Sequence, residues 1–191
     1  MPPEDQLRLL CCAKAAYQVR DADVFLHRSH AWYSSLFRAS GRSEYSHASL
    51  AAHWHGRIHC LQAVWGGDPK PLLSRMVALA PGQIDVYRCN RLSTADREII
   101  AADMIEVVGR GYSWQGILRA SLSHLPIVRL FVAIDSDDRV GATPNAFCSH
   151  AVAHCYARLG HDLVPNLADR LTEPGDLAHS ALLQYQFTLT A

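Results

Sequence analysis

The sequence has no C-x-x-C pair and no repeated cysteine spacing: its six cysteines stand at 11, 12, 60, 89, 148 and 155. Zinc ribbons and disulfide frameworks need such spacings, so reduced thiols of the cytosolic kind are expected. There is no excess of one charge either, 18 basic side chains standing against 18 acidic ones. The basic stripe that a phosphate backbone requires is missing, and nucleic acid is not an expected partner. No apolar run reaches the ~20 residues of a spanning helix; stretches such as 127–134 and 178–183 are interrupted or far shorter. The opening Pro2-Pro3-Glu4-Asp5 offers no basic leader, and Leu9-Leu10-Cys11-Cys12 is too short for a signal-peptide core. A cytoplasmic location is expected, with a signal-independent route to the cell envelope left open. Gly/Ser- or Pro-rich linkers and internal repeats are also absent from the sequence.

What is there reads as one domain over residues 1–191, with its core in about 20–180. At 191 residues, 49% hydrophobic and 19% charged, the chain can bury a core without staples, metals or cofactors. Residues Gln6 to Tyr17 predict a first helix, with Cys11 and Cys12 as small buried filler. Asp23 to Leu26 predicts a strand, and Trp32 to Ala39 one or two helical turns. His47 to Ala52 and Ile58 to Val64 predict a hairpin around Gly56, followed by a strand over Gln83 to Tyr87.

Ser93 is a good N-cap, with Asp96 where a capping box has Glu. Ile99, Ile100, Met104, Val107 and Val108 then mark the apolar face of a helix stopped by Gly109. Trp114 to Val132 reads as a partly helical segment broken at Pro126, and Asp135 to Asn145 as a polar loop. A second strong helix runs from Phe147 to Leu159, with Gly160 past its end. Thr172 to Asp176 predicts a turn into a short helix, and Tyr185 to Leu189 a closing strand. The fold class expected is α+β, a small antiparallel sheet packed against helices.

Cys148 falls in the first turn of that second helix, where unpaired backbone N–H groups and the positive end of the helix dipole favour thiolate over thiol. The same groups can donate to an oxyanion. A nucleophile of this kind needs a base, and the base needs an orienting partner. His47 and Gln62 can fill these roles, because an amide oxygen accepts an imidazole N–H. If Trp54-His55 is the hairpin centre, His47 lies opposite Gln62; if the centre is His55-Gly56, Gln62 is a diagonal neighbour on the same face. By the same alternation His59 points the other way.

These residues resemble the circularly permuted branch of the NlpC-like papain-fold cysteine hydrolases, the YiiX-like family. Asp21-Ala22-Asp23-Val24-Phe25-Leu26 is similar to the family's opening strand, Tyr45-Ser46-His47-Ala48-Ser49-Leu50 to its "SHxG" strand, and Gln62-Ala63 to its "EA". Phe147-Cys148-Ser149, with Tyr156 and Leu159-Gly160, resembles its "CS" helix, and Gly109 to Trp114 the segment that would place Tyr112 beside the site. His47 preceding Cys148 is the permuted order. The resemblance implies a permuted papain-like fold with the cysteine at a helix N-terminus. It implies a thiol-dependent amidase or peptidase that forms an acyl-enzyme on Cys148, with His47 as general base and Gln62 as orienter. Tyr112, Ser149 and Ser46 would line the substrate or oxyanion site, and bacterial cell-wall peptides would be the substrate class. The chain departs from the family pattern at two positions, Gln62 for Glu and Ser49 for Gly, the second narrowing the space beside the histidine.

Blander readings stand beside these. Cys155, one heptad on, lacks the helix end and reads as an inert buried thiol. The pairs His150/His154, His27/His30 and His53/His55 have spacings that metal ligands use, but eleven histidines produce such spacings by chance, and no metal is expected. Trp54 and Trp65 read as aromatics at the edge of the core. The alternatives to the hydrolase are a lipid-directed acyl hydrolase or acyltransferase with the same Cys–His pair, and a binding module of the same fold without turnover.

Overall fold

The structure, a computed structural model, describes residues 9–28, 43–63, 68–109, 148–165, 167–169 and 172–191. The expected features at Trp32 to Ala39, Trp114 to Val132 and Asp135 to Asn145, and the residues His30, Trp65, Tyr112 and Phe147, lie outside them. The strands are β1 (Leu9–Cys11), β2 (Val24–His27), β3 (His47–Trp54), β4 (Arg57–Leu61), β5 (Ile84–Cys89) and β6 (Leu183–Thr190). The helices are α1 (Cys12–Ala15), α2 (Leu73–Leu79), α3 (Thr94–Gly109), α4 (Cys148–Ala157) and α5 (Pro174–Ala178). Among the described residues the strands form one sheet in the order β1-β6-β5-β2-β3-β4. Every neighbouring pair is antiparallel except β1 with β6, which is parallel. The class is α+β.

Alternation along the strands divides the core in two. Val24, Leu26, Ala48, Leu50, Ala52 and Leu61 face Ile100 and Met104 of α3 and Ala151, Val152, Cys155 and Tyr156 of α4. Phe25, Ala51, Cys60, Ile84 and Val86 turn the other way, toward Ala15 of α1 and Leu73 and Val77 of α2. The two half-cores leave few polar groups in the sheet, and those are paired. Asp85, fully buried, accepts from Tyr45, Thr188 and Arg28, each at 2.6 Å. Asp23, also fully buried, accepts from Arg88 Nε at 2.8 Å and Nη2 at 2.6 Å.

The hairpin centre is His55-Gly56, since Trp54 pairs with Arg57. Both central residues have positive φ, 49° and 71°. That is the primed turn whose twist matches the flanking strands.

Two expectations change. Residues 6–17 do not form one helix: Leu9–Cys11 pair with Thr188–Thr190 as an edge strand, and the helix is confined to Cys12–Ala15. Sheet pairing outcompetes a local helix too short to hold itself together. On α3 the buried set is Arg97, Ile100, Ala101, Met104 and Val108, while Ile99 is 45% exposed. Ile100, Met104 and Val108 of the expected face are buried and Val107 packs against the same core, so of the five Ile99 alone turns outward. The capping box at its start is formed: Asp96 accepts from Ser93 N and Oγ at 3.0 and 2.7 Å, and Ser93 Oγ accepts from Asp96 N at 3.1 Å.

Candidate active site

Small side chains bring the site together. Ala48 and Ala52 on β3 face Ala151 and Val152 on α4 in one core cluster, so helix and strand pack without bulk between them. Cys148 is the first residue of α4 and His47 the first of β3, so the two meet where both elements begin. The thiol and the imidazole are close enough that each shifts the pKa of the other. Both residues are partly buried, whereas Cys155 is fully buried.

Gln62 completes the arrangement from β4's end. Its Oε1 accepts from His47 Nε2 at 3.0 Å, while its own Nε2 donates to the Asp68 carbonyl at 3.0 Å. The second bond settles which end of the amide faces the ring, because the Asp68 carbonyl can only accept. With Nε2–H committed to Gln62, Nδ1 is the ring nitrogen left for the sulfur. In the observed register Gln62 is the diagonal neighbour, one of the two arrangements expected, and His59 has the opposite parity to His47.

The electrostatics follow from what surrounds the sulfur. Burial by itself raises the pKa of Cys148. The positive imidazole of His47, its hydrogen bond, and the N–H groups of Ala48 and Ser149 outweigh burial, and the net direction is downward. For His47, burial works against the charged ring, but the negative sulfur and the bonds to Cys148 and Gln62 dominate, and its pKa is raised. The two shifts are reciprocal and favour a thiolate–imidazolium pair. Cys155 is the contrast within the same helix: burial, with Asp103 adding to it, pushes its thiol up to about 12.

His27 was singled out in the sequence only as half of a histidine pair, yet it stands beside His47. The last residue of β2, it pairs with His47 in register, and the ring centroids are 5.1 Å apart. Its Nε2 is 2.9 Å from Ser49 Oγ, and Ser49 is fully buried. Ser49, at the position of the motif glycine, is thus filled against His27. The sequence signal was one residue too short: a strand ending at Leu26 omits the position that faces His47.

The remaining candidates fall in different places. Ser46 Oγ donates to the His27 carbonyl at 3.3 Å, and Ser149 Oγ to the Thr172 carbonyl at 2.5 Å, so at Ser149 it is the backbone N–H that serves the sulfur. Tyr112 lies outside the described residues. The rings of His150 and His154 are 6.0 Å apart, and His154 Nδ1 is 3.8 Å from Asp169. His53 pairs with Asp21 at 2.8 Å. Among the described residues, no three His, Cys, Asp or Glu side chains are grouped as a metal would require, and no helix is long and apolar enough to cross a membrane.

Fold and geometry together define an α+β protein in which a helix-start thiol lies beside a strand-start imidazole. Among solved structures, this fold is similar to the crystal structure of metalloprotein yiiX from Escherichia coli O157:H7, DUF1105, with a TM-score of 0.62 and 14% identity over 90% of this chain and 98% of that one. At that identity the likeness is one of fold. No family model and no curated protein sequence matches the chain.

Proposed function

We propose that this chain is a circularly permuted papain-like cysteine hydrolase that cleaves an amide or ester through an acyl-enzyme on Cys148. The observation that carries the reading is the placing of Cys148, first residue of α4, beside His47, first residue of β3, with Gln62 held on the ring's Nε2. In the first half-reaction the thiolate attacks the carbonyl carbon, a C–S bond forms, and the carbonyl π electrons move onto oxygen, toward the backbone N–H groups at the start of α4. As the tetrahedral intermediate collapses, the C–N or C–O bond breaks and the imidazolium gives its proton to the departing amine or alcohol. Neutral His47 then takes a proton from water, whose oxygen attacks the thioester. The acid leaves, and the thiolate–imidazolium pair is restored. Gln62 keeps the ring in one orientation through both steps, supplying no charge of its own.

The substrate class that goes with this reading is the peptide stem of the bacterial cell wall, with short acyl esters as the lipid-directed alternative. The neighbour described as a metalloprotein raises a metal reading, which elemental analysis of the purified chain addresses separately.

The test is to incubate the protein with peptidoglycan-derived peptides and, in parallel, with short-chain activated acyl esters, then quench in acid and look for a mass increment. An acyl adduct on the peptide containing Cys148, absent in Cys148→Ala together with turnover, is the expected result. Turnover that survives Cys148→Ala, or binding of both substrate classes without any adduct, overturns the proposal; the second outcome would favour a binding module.

A further inference from the structure

Among the described residues outside the Cys148–His47–Gln62 set, His27 is packed directly against the proposed base. His27 is 5% exposed, with its ring tilted 54° to that of His47 at a centroid distance of 5.1 Å, and it is pinned from behind by Ser49. Ser49 is opposite Phe25 in the β2–β3 register, so the Ser49 hydroxyl sits one step along the same face as the two histidines. Burial, with the positive charge of His47 adding to it, keeps His27 neutral. Among the described residues, its partner on β5 is Ile84, and Arg28 and Asp85 bond each other on the opposite parity of the sheet.

An imidazole that must face a sulfur with one nitrogen and an amide with the other has little tolerance in its ring plane. Gln62 and Cys148 hold the edges of that ring, which leaves rotation about the bond to Cβ to be limited by whatever lies beside it. A flat, uncharged ring in van der Waals reach does this without competing for the proton, whereas a second cation there would expel the charge from His47.

We propose that His27 is a positioning residue for the reaction: a neutral imidazole, locked by Ser49, whose ring sets the plane in which His47 faces both Cys148 and Gln62. This rests on the cysteine-hydrolase reading of the site. His27 acts through His47 and exchanges no proton with substrate.

The experiment follows the pH dependence of iodoacetamide labelling at Cys148 by peptide mass spectrometry, in wild type, in His27→Gln, and in the double variant His27→Phe with Ser49→Ala. Glutamine can keep the bond to Ser49 but has no ring. The double variant keeps a ring and removes the hydroxyl that would otherwise be left buried and unpaired. His27→Gln is expected to label about tenfold more slowly near neutral pH, with the midpoint of its pH rise moved upward, as a misoriented base stabilises the thiolate less. The double variant should stay within about threefold of wild type at an unchanged midpoint. A merely structural role would lower melting temperature and leave the midpoint in place. A wild-type Cys148 that labels no faster than an ordinary thiol overturns the hydrolase reading and the role of His27 with it. A fast wild type with an unshifted His27→Gln, or a double variant that falls as far as His27→Gln, overturns the role of His27 alone.

Discussion

Gln62 is the residue at which charge and geometry separate most cleanly. Its amide fixes the His47 ring by accepting at 3.0 Å, and it is fixed in turn by donating to Asp68. Glutamate at this position would bring a negative charge beside the imidazolium, favouring the charged ring and raising the pKa of His47 further. In the proposed hydrolysis the imidazolium is the proton donor, so activity should fall as pH rises through that pKa. The alkaline limb of kcat/KM is therefore expected to move up in Gln62→Glu and to move down in Gln62→Ala. The same Gln62→Glu change removes the donor to the Asp68 carbonyl, and a loss of about 1–3 kcal/mol of stability should accompany it. Thermal melting alongside the pH profile checks both, and limbs that coincide in all three proteins would take the orienting role from Gln62.

At the scale of elements, the β3–β4 hairpin sets the distance between His47 and Gln62, and its turn carries the register. Gly56 has φ 71° with open space where a Cβ would be, so Gly56→Ala meets no clash and its cost is the backbone's own, about 1–2 kcal/mol. A denaturant midpoint lowered by that amount with the slope unchanged is the expected outcome; no change would mean the turn relaxes to another type. This hairpin, the capped helix α3 and the cysteine helix α4 were legible because each has local punctuation: Gly56, Ser93 with Asp96, and Gly160 with φ 78°; β2 and β5 showed as short apolar runs. The short strand β1 was not. Its pairing partner, Thr188–Thr190, lies at the other end of the sequence, and nothing local distinguishes Leu9–Cys11 from a helical turn. His27 was missed for a related reason, since its place opposite His47 is a matter of sheet register between strands the sequence separates widely.

Across the whole molecule, the candidate site exists only when sheet and helix layer are docked, because Cys148 belongs to α4 and His47 to β3. Cys155, on the same helix but deep in the core, is fully buried with its thiol raised to about 12. Unfolding should therefore move the two cysteines in opposite directions. In a urea series at mildly acidic pH, labelling of Cys148 should slow and that of Cys155 should quicken, both at the midpoint of the far-ultraviolet circular dichroism transition. Loss of Cys148 labelling well before that midpoint would mean that α4 undocks separately from the sheet.

The thiolate–imidazolium pair itself is most directly tested by titrating thiolate absorbance in the ultraviolet, with Cys148→Ser subtracted, in wild type and in His47→Ala. The wild-type step should have its midpoint clearly below the ordinary thiol value, and His47→Ala should move it up, since burial then acts without the opposing positive charge. A wild-type midpoint at or above the ordinary value, unmoved by loss of His47, would show that the sulfur and the imidazole do not form the pair.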